Sequence, residues 1–250
     1  MNLERFKIAK ASEVARLRAQ PPPMPLTIQR SRFLAPRGEG ERIRVIAEYK
    51  RASPSRGSIC EDLTPEQVAE AYTRGGASAI SVLSEEAYFK GHLDFLRRMA
   101  ERTALPLLRK DFIFDEAQVR ETAATPASAL LLIVALTPEA GQVRGLRELA
   151  ESFGMTAVVE VFDERELDIA RASGASVIQV NNRNLETLAV DASVTRRLAG
   201  RKLAGELWIA ASGYGTRGQL DALAGYDAAL VGTALMASGD PCGALRELTQ

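Results

Sequence analysis

The stretch "IAEYKRASPSRG" at 46–57 carries Glu48 and Lys50 two residues apart at the end of an apolar run. Alternate side chains of an extended chain share a face, so both charges point where the apolar residues point, inward. Charges directed into a protein are costly unless they are paired, reached by solvent or used. A single E-x-K is accounted for by a structural ion pair, but the pattern recurs. Lys110 ends the apolar part of "LPLLRKDF", Glu160 lies in "MTAVVEVF", and Asn181 and Arg183 close "ASVIQVNN" and its continuation. Ammonium groups and carboxylates gathered at one place can give protons to a substrate and take them away, which is general acid–base chemistry. An arginine beside them suits a bidentate carboxylate contact, or else a salt bridge to Glu160 or Glu48.

Gathering these residues requires elements that end at a common face. Eight short strand-like runs begin at 43, 77, 105, 127, 155, 175, 205 and 226. Between them lie helical stretches such as "TPEQVAEAYTRGG" and "DERELDIARASG", opened by capping or acidic residues and closed near Gly. Helix, Gly, small residue and buried strand recur in "RGGASAISV", "ASGASVIQV" and "LAGYDAALV", the mark of repeated βαβ units. Eight units predict an α/β chain folded as a closed (β/α)8 TIM barrel over 43–250, preceded by an N-terminal helical extension over 1–42. In the extension Leu3, Phe6, Val14 and Leu17 form one helical face, and "PPPMP" ends the helix. A barrel places its chemistry at the C-terminal strand ends. Those ends hold Glu48 and Lys50 after strand one, Lys110 after three, Glu160 in five and Asn181 with Arg183 after six. Ser212 with Gly213 follow strand seven and Gly232 with Thr233 follow strand eight, where barrel loops commonly hold a phosphate.

Lys plus Arg and Asp plus Glu number 32 each, so no overall field draws the chain to nucleic acid or an anionic membrane, and any anion site is local. Cys60 and Cys242 are expected as free thiols. "MNLERFKIAKASEVARLRAQ" lacks the apolar core of a signal peptide, and no stretch approaches the ~20 apolar residues of a membrane span. A cytoplasmic protein is expected.

"IAEYKRASPSRG", "ISVLSEEAYFKG", "LRKDFIFDEAQV", "VVEVFDERELDIA", "VNNRNL" and "VGTALM" resemble, in order and across nearly the whole chain, the motifs of indole-3-glycerol phosphate synthases. That resemblance implies a lyase of tryptophan biosynthesis, without metal or organic cofactor. It would close the indole ring of 1-(2-carboxyphenylamino)-1-deoxyribulose 5-phosphate with loss of carbon dioxide and water. It further implies Lys110 as general acid on the sugar carbonyl, Glu160 as the catalytic glutamate and Lys50 as the second lysine, with Glu48 a second carboxylate for proton removal. Which lysine protonates which oxygen stays open. Asn181 and Arg183 would surround the substrate, and Ser53 would join Ser212, Gly213, Gly232 and Thr233 at the phosphate. Phe89 and Phe112 would sandwich the anthranilate ring or serve as core packing. The extension would pack near the mouth, although capping the barrel bottom is the plainer role. His92, the single histidine, is expected at the surface or behind the site.

Two residues depart from the motifs. Ala211 stands in "AASGYG" where a glutamate is expected, and Gln179 stands in "IQVNN" in place of Gly. A lost carboxylate changes the field on the lysines, and a bulkier residue 179 is expected to crowd the barrel interior or the substrate. The alternative is therefore a catalytically weakened barrel that binds a phosphorylated ligand. Phosphoribosylanthranilate isomerase, a barrel with a related substrate, resembles a Cys base after strand one and an Asp acid after strand six. Glu48, Lys50 and Asn181 occupy those places here.

Overall fold

Each of the eight apolar runs supplies one parallel strand in the computed structural model, which describes residues 3–250. The strands are β1 (Arg44–Tyr49), β2 (Ala79–Leu83), β3 (Leu107–Ile113), β4 (Ala129–Ile133), β5 (Thr156–Val161), β6 (Val177–Asn181), β7 (Leu207–Ala211) and β8 (Ala228–Val231). Each pairs with its successor, and β8 returns to β1 with Arg44 opposite Ala228 and Ala47 opposite Val231, closing the barrel. Helices α2 (Pro65–Gly75), α3 (Asp94–Ala100), α4 (Glu116–Ala123), α5 (Ala140–Ser152), α6 (Glu164–Ala172), α7 (Ser193–Ala199) and α8 (Arg217–Asp221) occupy the successive crossovers. After β8 come α9 (Thr233–Met236) and α10 (Pro241–Thr249), and α1 (Glu4–Ala19) precedes the barrel. Local chemistry starts these helices: Thr64 with Gln67, and Thr216 with Gln219, form complete capping boxes, while Asp115 and Asp163 cap α4 and α6. No helix among the described residues is long and apolar enough to cross a membrane.

Strand parity divides the core in two. Val45, Ala47 and Tyr49 face the helices, whereas Ile46 joins Ala79, Leu108, Ala129, Val158, Val177, Ile209 and Ala228 inside the barrel. Glu48 has the parity of Ile46, so its charge is delivered to the interior at the strand's C-terminal end. Three residues expected after their strands lie within them: Glu48 in β1, Asn181 as the last residue of β6, and Lys110 in β3. At Lys110 the β3–β4 pairing shifts register between Arg109 and Ile113. Such irregularities re-aim side chains near functional sites.

Met1 and Asn2 of the expected extension lie outside the described residues; its remainder serves both ends of the barrel. Phe33 and Leu34 enter the inner cluster from below, beside the Arg30 guanidinium, which donates to the carbonyls of Ala123 (2.7 Å), Thr125 (2.9 Å), Ala127 and Phe153 (3.1 Å). Helix α1 reaches the opposite end, where the Phe6 ring stacks on Phe112 at 4.0 Å.

A buried ionic network fastens α1. Lys10 Nζ lies 2.8 Å from Asp111 Oδ1 and 2.6 Å from Glu13, and Arg109 lies 3.1 Å from Asp111 Oδ2 and 3.0 Å from Glu121. Burial pushes the Asp111 carboxyl up, but Arg109 and Lys10 outweigh it and hold the group below its usual 3.8. A carboxyl depressed in the folded state contributes stability that is complete above its unfolded pKa and is lost as pH falls through the lower folded value. Asp111→Ala leaves two buried cations short of a partner and is expected to cost about 3–5 kcal/mol, the usual penalty for breaking a buried pair. The urea-unfolding midpoint measures it. At pH well below 3.8 the gap between the two proteins should narrow.

Candidate active site

The C-terminal strand ends surround a cavity of about 470 Å³. Glu48, Lys50, Lys110, Glu160, Asn181 and Arg183 all line it. So do Ser53, Phe89, Phe112, Ser212, Gly213, Gly232 and Thr233, and every residue given a catalytic or substrate-binding role from the sequence therefore meets in one space.

Two ammonium–carboxylate pairs define its charged side. Lys50 Nζ donates to Glu48 Oε1 at 2.7 Å, a direct hydrogen-bonded pair. Lys110 Nζ lies 3.7 Å from Glu160 Oε2, close enough for attraction but beyond a hydrogen bond, so its donors are not committed to that carboxylate. Both carboxylates are nearly inaccessible, Glu48 and Glu160 each retaining 3% exposure. Opposing charges in so dry a setting act more strongly than at a surface.

Arg183 forms no salt bridge among the described residues. Its Nη1 donates to Leu188 O at 2.8 Å and to Ser55 Oγ at 3.4 Å, and Asn181 Oδ1 accepts from its backbone N–H at 2.9 Å. Burial draws the guanidinium pKa below its usual value; attraction to Glu48 opposes that and Arg56 adds to it. A guanidinium fixed by neutral oxygens keeps its charge available to a ligand.

The far wall is built from turns. Ser212 (φ 69°) and Gly213 (φ 91°) are both left-handed, a conformation that Gly accepts and Ser adopts under strain. Asn182 holds the turn, donating to Ser212 O at 3.1 Å and to the Tyr214 hydroxyl at 3.0 Å while accepting from Thr195 N–H at 3.0 Å. At Gly232 a Cβ would stand 2.4 Å from Glu48 Oε1, so the close approach that this glycine permits here is to that carboxylate.

Phe112 has one face stacked on Phe6, and Phe89 lies tilted 6.2 Å away. Phe6 itself lines the cavity, a contribution hidden in the sequence among the apolar positions of α1. Glu85 was also missed. Buried in the loop after β2, it accepts backbone N–H groups of Ala87, Tyr88 (2.7 Å) and Phe89 (3.1 Å), and so shapes the loop that presents Phe89. Burial raises its carboxyl pKa, tempered by those donors. The doubled acid in "LSEEAY" was its signal.

His92 is exposed and its Nδ1 accepts from Asp94 N–H, away from the chemistry. Cys60 and Cys242 are free and partly buried. Ala211 lines the cavity, but Gln179 does not: fully buried beneath it, the amide fits the barrel interior and donates from Nε2 to Glu160 Oε2. Of the two expected places for Gln179, barrel interior or substrate, the side chain occupies the interior, lying along the inner wall toward β5.

The family model described as indole-3-glycerol phosphate synthase matches residues 3–248. An indole-3-glycerol phosphate synthase of Chloroherpeton thalassium is 48% identical over 201 residues, spanning 79% of this chain and 76% of that protein. Another, from Desulfotalea psychrophila, is 41% identical over 254 residues, 98% of this chain and 97% of the relative. Among solved structures, one of 3-hexulose-6-phosphate synthase superposes with a TM-score of 0.60 at 16% identity, covering 84% of this chain and 98% of that one, a likeness of fold alone. With its family match extending from α1 into α10, the chain belongs to the indole-3-glycerol phosphate synthase family.

Proposed function

We propose that the protein closes the indole ring of 1-(2-carboxyphenylamino)-1-deoxyribulose 5-phosphate, releasing carbon dioxide and water and forming indole-3-glycerol phosphate for tryptophan biosynthesis. The observation that carries this reading is the pair of lysine–carboxylate contacts facing one cavity, with aromatic rings on one side and hydroxyl-bearing turns on the other. Membership of the family supports it over a weakened ligand-binding barrel.

In this reading Lys110, whose ammonium is held at 3.7 Å rather than bonded, protonates the sugar carbonyl as the carboxylate-bearing ring carbon attacks. Carbon dioxide leaves, the former carbonyl oxygen departs as water, and a carboxylate takes the proton whose loss makes the ring aromatic. Glu160 serves that proton transfer, with Glu48 the second carboxylate within the cavity. Lys50, already bonded to Glu48 at 2.7 Å, is better placed to hold the substrate carboxylate and later assist departure of the hydroxyl. Arg183 and Asn181 orient the substrate. Phe89 and Phe112 flank its ring, and Ser53, Ser212, Gly213, Gly232 and Thr233 receive its phosphate. The same reading makes the protein a cytoplasmic monomer without a nucleic-acid partner, consistent with a formal net charge of +0.

Fluorescence of the indole product, formed from the carboxyphenylamino deoxyribulose phosphate by purified protein, tests the activity; no product under any condition of pH or salt would refute it. Lys110→Ala should lower kcat by about 10²–10⁴ with the circular-dichroism spectrum and melting curve retained, as loss of a positioned general acid does. A rate near wild type would remove Lys110 from the mechanism. Inorganic phosphate and sulfate should raise KM without changing kcat, since the turns after β7 and β8 recognise the dianion by themselves. Inhibition that lowers kcat instead would place the anion elsewhere.

A further inference from the structure

Gln179 is a fully buried polar side chain of the barrel interior that the reading above leaves without a task. It stands opposite Glu160 on β5 and Ile209 on β7. Its Nε2 donates to Glu160 Oε2, the same oxygen that attracts Lys110, while its own Oε1 is buried without a hydrogen-bond partner among the described residues. An amide with an unmet acceptor is a costly filler, because Met or Leu occupies similar volume with no polar atom to desolvate. The orientation is set by charge, since turning the amide over would bring its oxygen against the carboxylate.

The neighbouring strand adds a second observation. Asn181 is registered with Ala211, so position 211 is the diagonal inward neighbour of position 179 across β6 and β7, a separation that long side chains bridge. The resemblance noted above implies a glutamate at 211 and glycine at 179; here a methyl stands at 211 and a long polar group at 179. In this chain the polar reach comes from β6 and not from β7.

We propose that Gln179 is a positioning residue for the ring-closing reaction. Its amide donor holds the Glu160 carboxylate with Oε2 turned to Lys110, in place of the fixed polarity that a carboxylate at 211 would supply. This rests on the ring-closure reading of the cavity. No bond is made or broken at Gln179; it acts only through Glu160.

Gln179→Met keeps the volume and removes the donor. It should lower kcat by about 10- to 100-fold, as loss of a hydrogen bond to a charged group does, with KM within about threefold and a melting temperature no lower than that of the wild type. Gln179→Gly should lose a similar factor, and adding Ala211→Glu to it should recover about tenfold, a coupling expected of residues that share one task. In the substrate-free protein, the Gln179 side-chain amide should show a downfield proton in a ¹⁵N–¹H spectrum that moves to the ordinary range in Glu160→Ala. Wild-type kcat in Gln179→Met, or an amide signal indifferent to Glu160→Ala, would overturn the proposal. Strictly additive losses in the double variant would overturn the exchange of roles between 179 and 211. If the wild-type chain forms no indole product, the ring-closure reading fails by itself, and the amide signal still decides whether Gln179 holds Glu160.

Discussion

Hydrogen bonding of β8 to β1 is the constraint from which the site follows. Once the sheet is closed, every strand has one face that sees only other strands, and parity alone decides which residues occupy it. The lower layers are filled by Ile46, Ala79, Leu108, Ala129 and their neighbours, with Phe33 and Leu34 sealing them from beneath. Charged groups on the same face are tolerable only in the last layer, where the barrel opens. Glu48, Lys50, Lys110 and Glu160 are all found there, above a floor that is apolar apart from the Gln179 amide and the Ser81 hydroxyl.

Much of this architecture could be read from residue order. Parallel strands covered on both faces are written as unbroken apolar runs, and those runs located all eight strands. Glu48 with Lys50 was readable as a pair because two-residue spacing in a strand is a local fact. The partner of Lys110 was not, since β4 lies between β3 and β5 and nothing in either stretch encodes a contact across the barrel mouth. Phe33, Leu34 and Arg30 were silent for a related reason. They lie in a segment without periodicity, and their contacts are set by where that segment crosses the barrel rather than by its own conformation.

Three consecutive charges in "LLRKDFI" look excessive for a buried strand, yet they separate cleanly by side. Lys110 enters the cavity, whereas Arg109 and Asp111 join Lys10, Glu13 and Glu121 in a network that ties β3 to α1 and α4. A strand gripped by charge on its outer side holds the residue on its inner side more narrowly than apolar packing alone would. The stacking of Phe6 on Phe112 belongs to the same arrangement, because the helix that the network fastens also carries part of the cavity wall.

The bare backbone of Gly232 touches the Glu48 carboxylate so closely that a single added methyl would collide with it. These positions stand at opposite ends of the barrel sequence and side by side in its closed sheet. What each position can hold is therefore limited by the other. While residue 48 is glutamate, no residue with a side chain is accessible at 232 without displacing a charged group. Alanine or serine there would require the Glu48 side chain to shift or shorten, and would so disturb the carboxylate that Lys50 holds at 2.7 Å.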